Sequence, residues 1–380
     1  MVIQTFLHEL GSGQISALIG LLIGLVFGIF AQQSRFCLRA ACVEFWRGQI
    51  GKKFAIWLLT FGAALLATQY FVEAGGIDTG LIRQLNNVGS MSGAIIGGLL
   101  FGSGMVLAGG CASRLLVLSA TGNMRTLVAG LVVTIVAQAS LRGGLSPLRE
   151  EISSWWLVDA SSRGFSHLMP PFGGMLLGGL FLLIALWYAR RHKVSGWWSI
   201  AAVVTGSSVA LAWLLTSLHA VNSFDVVTVQ SISFTGPSAD TLMGLINQPN
   251  LPLSFNVSLV PGVFLGALLA ALVTREFKWQ QFTSESGTAR FLIGASMMGF
   301  GSMLAGGCAV GAGVSGGAVL VITAWVALFF MWIGAGVTDF LIDQRADEVK
   351  ATSEMVKPEP NLAAESRPGL AKPSDSAQSN

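Results

Sequence analysis

Nine separate stretches of this 380-residue chain stay apolar over roughly 17 to 25 residues, the length at which an α-helix crosses a bilayer core of about 30 Å. They lie near residues 14–32, 54–73, 91–110, 123–140, 171–190, 197–219, 257–274, 289–307 and 318–341. Inside hydrocarbon the backbone N–H and C=O groups have no water to bond, so runs of this kind must satisfy themselves as helices. The expected fold is therefore an all-α polytopic membrane protein of about nine transmembrane helices. Composition agrees: 53% of the residues are hydrophobic and 11% charged, against roughly 25% charged in an average soluble domain. A net charge of +3, spread in short clusters between apolar runs, speaks against a nucleic-acid partner.

The clusters instead orient the chain. The first loop holds Arg35, Arg39, Arg47, Lys52 and Lys53, the fifth Arg190, Arg191 and Lys193, and the seventh Arg275, Lys278 and Arg290. The second loop has only Arg83, the fourth is mixed, and the sixth, from about Ala220 to Asn256, has no Lys or Arg. The positive-inside bias then puts the odd loops and the C-terminus in the cytoplasm and the N-terminus outside. Trp155, Trp156, Trp197 and Trp198 fall at expected span ends, as an aromatic belt requires. Met1–Gln14 carries no Lys or Arg and no small-residue cleavage site follows the first run, so that span is expected to be retained. A single transport domain over 1–343 is expected, with a disordered cytoplasmic tail over 344–380, where Pro, Ser, Ala, Glu and Lys replace the apolar runs.

The block Gly-Ser-Gly-Met-Val-Leu-Ala-Gly-Gly-Cys-Ala, Gly102 to Ala112, returns 197 positions later as Gly-Phe-Gly-Ser-Met-Leu-Ala-Gly-Gly-Cys-Ala, Gly299 to Ala309. Ile96-Gly97 and Ile293-Gly294 match at the same offset, so the chain contains a duplication. In the nine-span count the first copy ends a helix running inward and the second a helix running outward. The halves, about 14–140 and 197–341, then form an inverted repeat, which places a pathway at their interface near the membrane midplane.

Gly109-Gly110 and Gly306-Gly307 permit positive φ and a sharp helix break. Unwound backbone at membrane depth is tolerated where it is buried or lines a cavity. A short helix restarting after Cys111 or Cys308 would aim its free N–H groups and positive dipole end there and favour an anion. The other glycines, such as Gly97 and Gly294, fit close helix packing equally well. Cys37 lies in Gln32-Gln33-Ser34-Arg35-Phe36-Cys37-Leu38-Arg39, where arginines would raise local anion concentration or simply anchor the span. Cys42 has no repeat partner, and the spacing of the four cysteines gives neither a disulfide framework nor a zinc site.

Gln-Ser-Arg-Phe-Cys after the first span, the twice-used Gly-x-Gly-x-x-Leu-Ala-Gly-Gly-Cys-Ala and Thr274-Arg275-Glu276-Phe277 together resemble the YeeE/YedE family of bacterial sulfur-transport membrane proteins, within it the thiosulfate transporters. The resemblance runs from about Leu18 to Asp343. It implies an hourglass-shaped bacterial inner-membrane protein with short re-entrant helices that takes up thiosulfate. It further implies a path along Cys37, Cys111 and Cys308 and a soluble TusA-like sulfur carrier as cytoplasmic partner. A thiol with an ordinary pKa near 8.5 is mostly protonated at neutral pH and donates a weak hydrogen bond to a soft sulfur anion. Weak serial sites suit permeation, since strong ones hold a dianion too tightly to release it. The first copy departs from the family pattern: Arg114 stands where the second copy has Gly311. Arg114 is either a gate for anions or a snorkelling interfacial residue, and an extra cation would favour a larger or more oxidised sulfur anion.

Two other classes compete with transport. A membrane sulfurtransferase using a cysteine persulfide needs a thiolate with a basic neighbour, and Cys308 has none in sequence. A soft-metal transporter would use thiolates, but usually with Met or His clusters, and His8, His167, His192 and His219 are scattered. No nucleotide-binding loop, resident metal or cofactor is expected, and Glu73, Asp339 and Asp343 fall near span ends, against a proton relay.

Overall fold

A short polar side chain starts several of the long helices by accepting a backbone N–H that the first helical turn leaves unbonded. Ser90 takes the amide of Gly93, Asn123 that of Thr126 and Ser254 that of Val257. The computed structural model describes residues 11–165, 170, 172–247, 249, 253–280 and 288–344. In chain order the helices are α1 (Ser12–Ser34), α2 (Leu38–Trp46), α3 (Lys52–Glu73), α4 (Met91–Leu107), α5 (Ala112–Ala120), α6 (Met124–Arg142), α7 (Ser146–Ser154), α8 (Gly173–Arg191) and α9 (Gly196–Asn222). They continue as α10 (Thr235–Asn247), α11 (Phe255–Val273), α12 (Thr288–Leu304), a π-helix (Ala309–Gly316) and α13 (Ile322–Thr338). A two-residue antiparallel pair joins Gly89–Ser90 to Leu157–Val158.

Among the described residues nine helical segments are long and apolar enough to cross a membrane, so the chain is an all-α polytopic membrane protein. It divides into two units, Met1–Thr338 and Asp339–Asn380, and of the second only the short π-helix Asp339–Gln344 is described. The expected tail, from 345 onward, and the histidines His8 and His167 lie outside the described residues. In the first unit α1 packs on α9 and α11, α3 on α8 and α9, and α4 on α12 and α13. One face of α8 stays bare, with Leu176 69% and Leu183 66% exposed, as a lipid-facing helix requires. Trp155, Trp156 and Trp197 are exposed beside helix ends, where the belt was expected.

Contacts between helices run through small residues, because lipid supplies no hydrophobic drive and close backbone approach must replace it. A Cβ on Gly28 would lie 2.2 Å from the Val263 carbonyl oxygen of α11, and one on Gly266 2.2 Å from that of Leu25 on α1. The two repeat helices α4 and α12 cross antiparallel through reciprocal pairs. Gly97 meets the Gly301 carbonyl at 2.6 Å from its ideal Cβ, and Gly104 meets the Gly294 carbonyl at 2.6 Å. These distances leave no room for a methyl group. Gly97→Ala should therefore cost about 1–3 kcal/mol by overpacking. Gly179→Ala, where nothing lies within 4 Å, should be neutral or slightly stabilising. Thermal unfolding in detergent, followed by monodispersity on a sizing column, checks the pair.

Candidate functional site

Three of the spans are interrupted, and each interruption ends on one of the cysteines singled out from sequence. Helix α1 stops at Ser34, Arg35 adopts a left-handed φ of 54°, and Cys37, extended at φ −161° and ψ 116°, caps α2. Helix α4 stops at Leu107, Gly109 turns the chain at φ 82°, and Cys111 caps α5. Helix α12 stops at Leu304, Gly306 and Gly307 turn it at φ 79° and 157°, and Cys308 caps the π-helix, its Sγ accepting the Gly311 N–H at 3.4 Å. Of the four glycines named for these breaks, Gly110 alone keeps a negative φ, so one left-handed glycine suffices at the first copy. The short helices have 9, 9 and 8 residues, and their first N–H groups have no intrahelical acceptor. Cys111 and Cys308 are buried and Cys37 is half-buried. Cys42 is also buried, but inside α2 and away from any break.

Two of the thiols meet. The Cys37 and Cys111 side chains are close neighbours, and Cys111 Sγ lies 3.3 Å from Ser113 Oγ. The Arg114 guanidinium lies within electrostatic reach of both thiols and of Arg35. Arg114 Nη1 donates to Gln32 Oε1 at 3.4 Å, Gln32 Nε2 donates to Glu276 Oε2 at 2.9 Å, and Arg35 Nη2 donates to Glu276 Oε1 at 3.1 Å. Arg114 is thus tied into the protein beside the thiol pair. Helix α5 also touches the π-helix, so the elements that follow Cys111 and Cys308 abut.

On the Cys308 side Gly306 and Gly311 help line a cavity of about 520 Å³. Arg83, Arg149 and Arg163 also line it, with no carboxylate among its lining residues. Arg163 donates to the Asn87 carbonyl at 2.6 Å and to Thr323 Oγ1 at 3.0 Å. Burial lowers its guanidinium pKa from the ordinary value, yet an arginine stays charged. One wall is Thr228–Ser233, an extended piece between α9 and α10. Ser315 Oγ donates to the Ile232 carbonyl and Trp213 Nε1 to that of Ser315, which pins this wall to the π-helix.

The structure brings together Cys37, Cys111, Arg35 and Arg114, and places Cys308 with Gly306 and Gly307 at the neighbouring break. Sequence reasoning missed Gln32 and Glu276 as partners, and missed the three arginines as one set. It also read Ala220–Asn256 as a plain loop, whereas it holds the buried Ser231–Phe234 segment and α10. A usable signal existed: the 197-residue offset that links the two cysteine blocks carries Cys37 onto Phe234, and α2 onto α10. With Cys42 and Cys308 replaced by alanine, mild oxidation should remove both remaining thiols together from maleimide–polyethylene glycol labelling, without dimers on a denaturing gel. Labelling that persists at one thiol would show that Cys37 and Cys111 do not meet.

Comparison with known proteins gives three relatives. TsuA of Spirochaeta thermophila, a thiosulfate transporter, is 28% identical over 329 residues, 83% of this chain and 96% of the relative. TsuA of Escherichia coli, also a thiosulfate transporter, is 25% identical over 349 residues, 85% of this chain and 94% of the relative. The probable transporter YedE of Salmonella typhimurium is 26% identical over 183 residues, 47% of this chain and 43% of its own length. The family described as Sulphur transport matches residues 33–337, a range that holds all three capping cysteines. This multi-pass membrane protein therefore belongs to the sulphur transport family.

Proposed function

We propose that this protein takes up thiosulfate across the bacterial inner membrane, by a path that runs from the arginine-lined cavity past Cys308 to Cys111 and Cys37. The observation that carries the reading is that each of the three cysteines caps a short helix at a break in a span. An anion there meets helix N-termini and cysteine thiols, which together offset part of the desolvation of two negative charges without a tight clamp. The relatives named as thiosulfate transporters support the substrate, and membership of a transport family favours transport over a persulfide enzyme.

Loop parity supports the direction. The cavity is lined from the second, fourth and sixth loops, through Arg83, Arg149, Arg163 and Thr228–Ser233. The Cys37–Cys111 pair is flanked from the first and seventh loops, through Arg35 and Glu276. With the odd loops cytoplasmic, the cavity opens outside and captures the anion, and the thiol pair delivers it inside, where a TusA-like carrier would receive it. The antiparallel crossing of α4 and α12 through Gly97–Gly301 and Gly104–Gly294 is what an inverted repeat with its axis between these helices would produce. Residues 1–343 act in this reading as one transport domain with a cytoplasmic tail.

Uptake of radiolabelled thiosulfate into proteoliposomes tests it. Replacing Cys37, Cys111 or Cys308 by alanine should lower flux by about tenfold or more, equivalent to about 1.4 kcal/mol or more of lost stabilisation along the path. Cys42→Ala should leave flux at the wild-type level. Alanine variants at the three sites that transport normally would remove the thiol path while leaving the substrate intact. Arg83→Gln should raise the half-saturating concentration by about tenfold with little change in maximal rate, the mark of capture rather than passage.

A further inference from the structure

Glu276 uses its two carboxylate oxygens on two different partners. Oε1 takes the Arg35 guanidinium at 3.1 Å, and Oε2 takes the Gln32 amide at 2.9 Å. The same Gln32 amide accepts Arg114 through its oxygen at 3.4 Å, the longest link in the chain. One carboxylate from the segment after α11 thus restrains one arginine at the end of α1 directly and another, on α5, through the glutamine. Gln32 is 5% exposed, whereas the Arg35 and Glu276 side chains are 56% and 39% exposed. An ion pair this open to water is weak and exchangeable.

Resting on the thiosulfate reading above, we infer that Glu276 is the resident counter-anion of an exchange gate beside the thiol pair. A doubly charged sulfur anion that reaches Cys37 and Cys111 draws Arg114 from Gln32. When the anion leaves, the Glu276–Gln32 unit takes Arg114 back. Without that competitor, Arg114 and Arg35 would hold a dianion tightly in a partly desolvated throat, and release would become the slow step. Glu276 therefore sets the rate at which the site empties. It is a positioning residue, acting on the anion through the two arginines and not by touching it. The same logic explains how an arginine can stand at the position where the second copy has Gly311 without blocking flow.

The test is Glu276→Gln, which keeps the shape and hydrogen-bonding reach and removes only the charge. In proteoliposomes loaded by radiolabelled thiosulfate, the half-saturating concentration and the maximal rate should both fall, each by about tenfold, as expected when release is slowed and affinity raised. Adding Arg114→Gln to that variant should return both parameters toward wild type, because the trap needs the second cation. If Glu276→Gln does not fold, Gln32→Leu cuts the link to Arg114 with both charges in place and should shift the two parameters in the same direction. A variant that loses maximal rate with an unchanged half-saturating concentration would reduce Glu276 to a structural tie and overturn the inference alone. Absence of thiosulfate flux in the wild type would overturn this inference together with the substrate reading on which it rests.

Discussion

A backbone that stops being helical inside a membrane must find partners for its freed N–H and C=O groups, and this requirement shapes everything around the three cysteines. Around Cys308 the protein meets it by burial, while the turning residues Arg35, Gly109 and Gly306 stay exposed. Gly307 is so close to the next turn that a Cβ there would lie 2.7 Å from the Ala312 nitrogen, and the Gly311 backbone is covered by Ser233, whose hydroxyl would sit 2.2 Å from an added Cβ. A tightly wrapped break needs small residues on both sides, and the glycine-rich crossings of α4 with α12 and α13 follow from it. At Gly102 the Met331 carbonyl of α13 would lie 2.2 Å from an added Cβ. The same close approach that lets the helices pack without a hydrophobic drive also brings the two cysteine-bearing breaks into one neighbourhood.

Much of this was legible in the chain because membrane helices leave a strong signal. Long apolar runs have one stable conformation in lipid, so the number of spans and their order could be read directly. The repeated glycine–cysteine block marked two breaks, whereas Cys37 was legible only as a cysteine at the cytoplasmic end of the first span, and the helix that restarts after it was not. The sixth loop was not legible, because Thr228–Phe234 is short, rich in Ser, Thr and Val, and held by single hydrogen bonds from distant helices. Ser231 donates to the Val209 carbonyl, and Thr216 to that of Gln230. Nothing local announces such a segment; only the internal offset that carries Cys37 onto Phe234 does.

Charge was the other blind spot. Arg83 comes from the second loop and Arg149 and Arg163 from the fourth, and they look like scattered topology signals, yet folding puts them on one cavity. Glu276 was noticed only as part of Thr274-Arg275-Glu276-Phe277, and its pairing with residues some 240 positions earlier, Arg35 and Gln32, is a tertiary fact. The two arginine sets differ in kind. The cavity has no carboxylate among its lining residues, although Arg149 pairs with Glu150 at 3.0 Å, while Arg35 binds Glu276 directly and Arg114 reaches it through Gln32.

That difference bears on how an anion crosses in one direction of increasing commitment. A site that must collect a dilute dianion gains from uncompensated positive charge, because long-range attraction raises its local concentration. A site that must let the dianion go gains from a built-in competitor, because binding that is too favourable stops conduction. On the proposed path Cys308 lies between the two, its thiol beside the Gly311 amide and, among the described residues, with no charged side chain hydrogen-bonded to it. Affinity on the proposed path is high at entry, low at the midpoint and held in check at exit, the order that permeation by weak steps demands. The replacement of Gly311 by Arg114 at the matching position of the first copy is then no flaw in the repeat. The two breaks take opposite tasks on the proposed path, and Arg114, together with the Glu276 linked to it through Gln32, is the chemical difference between them.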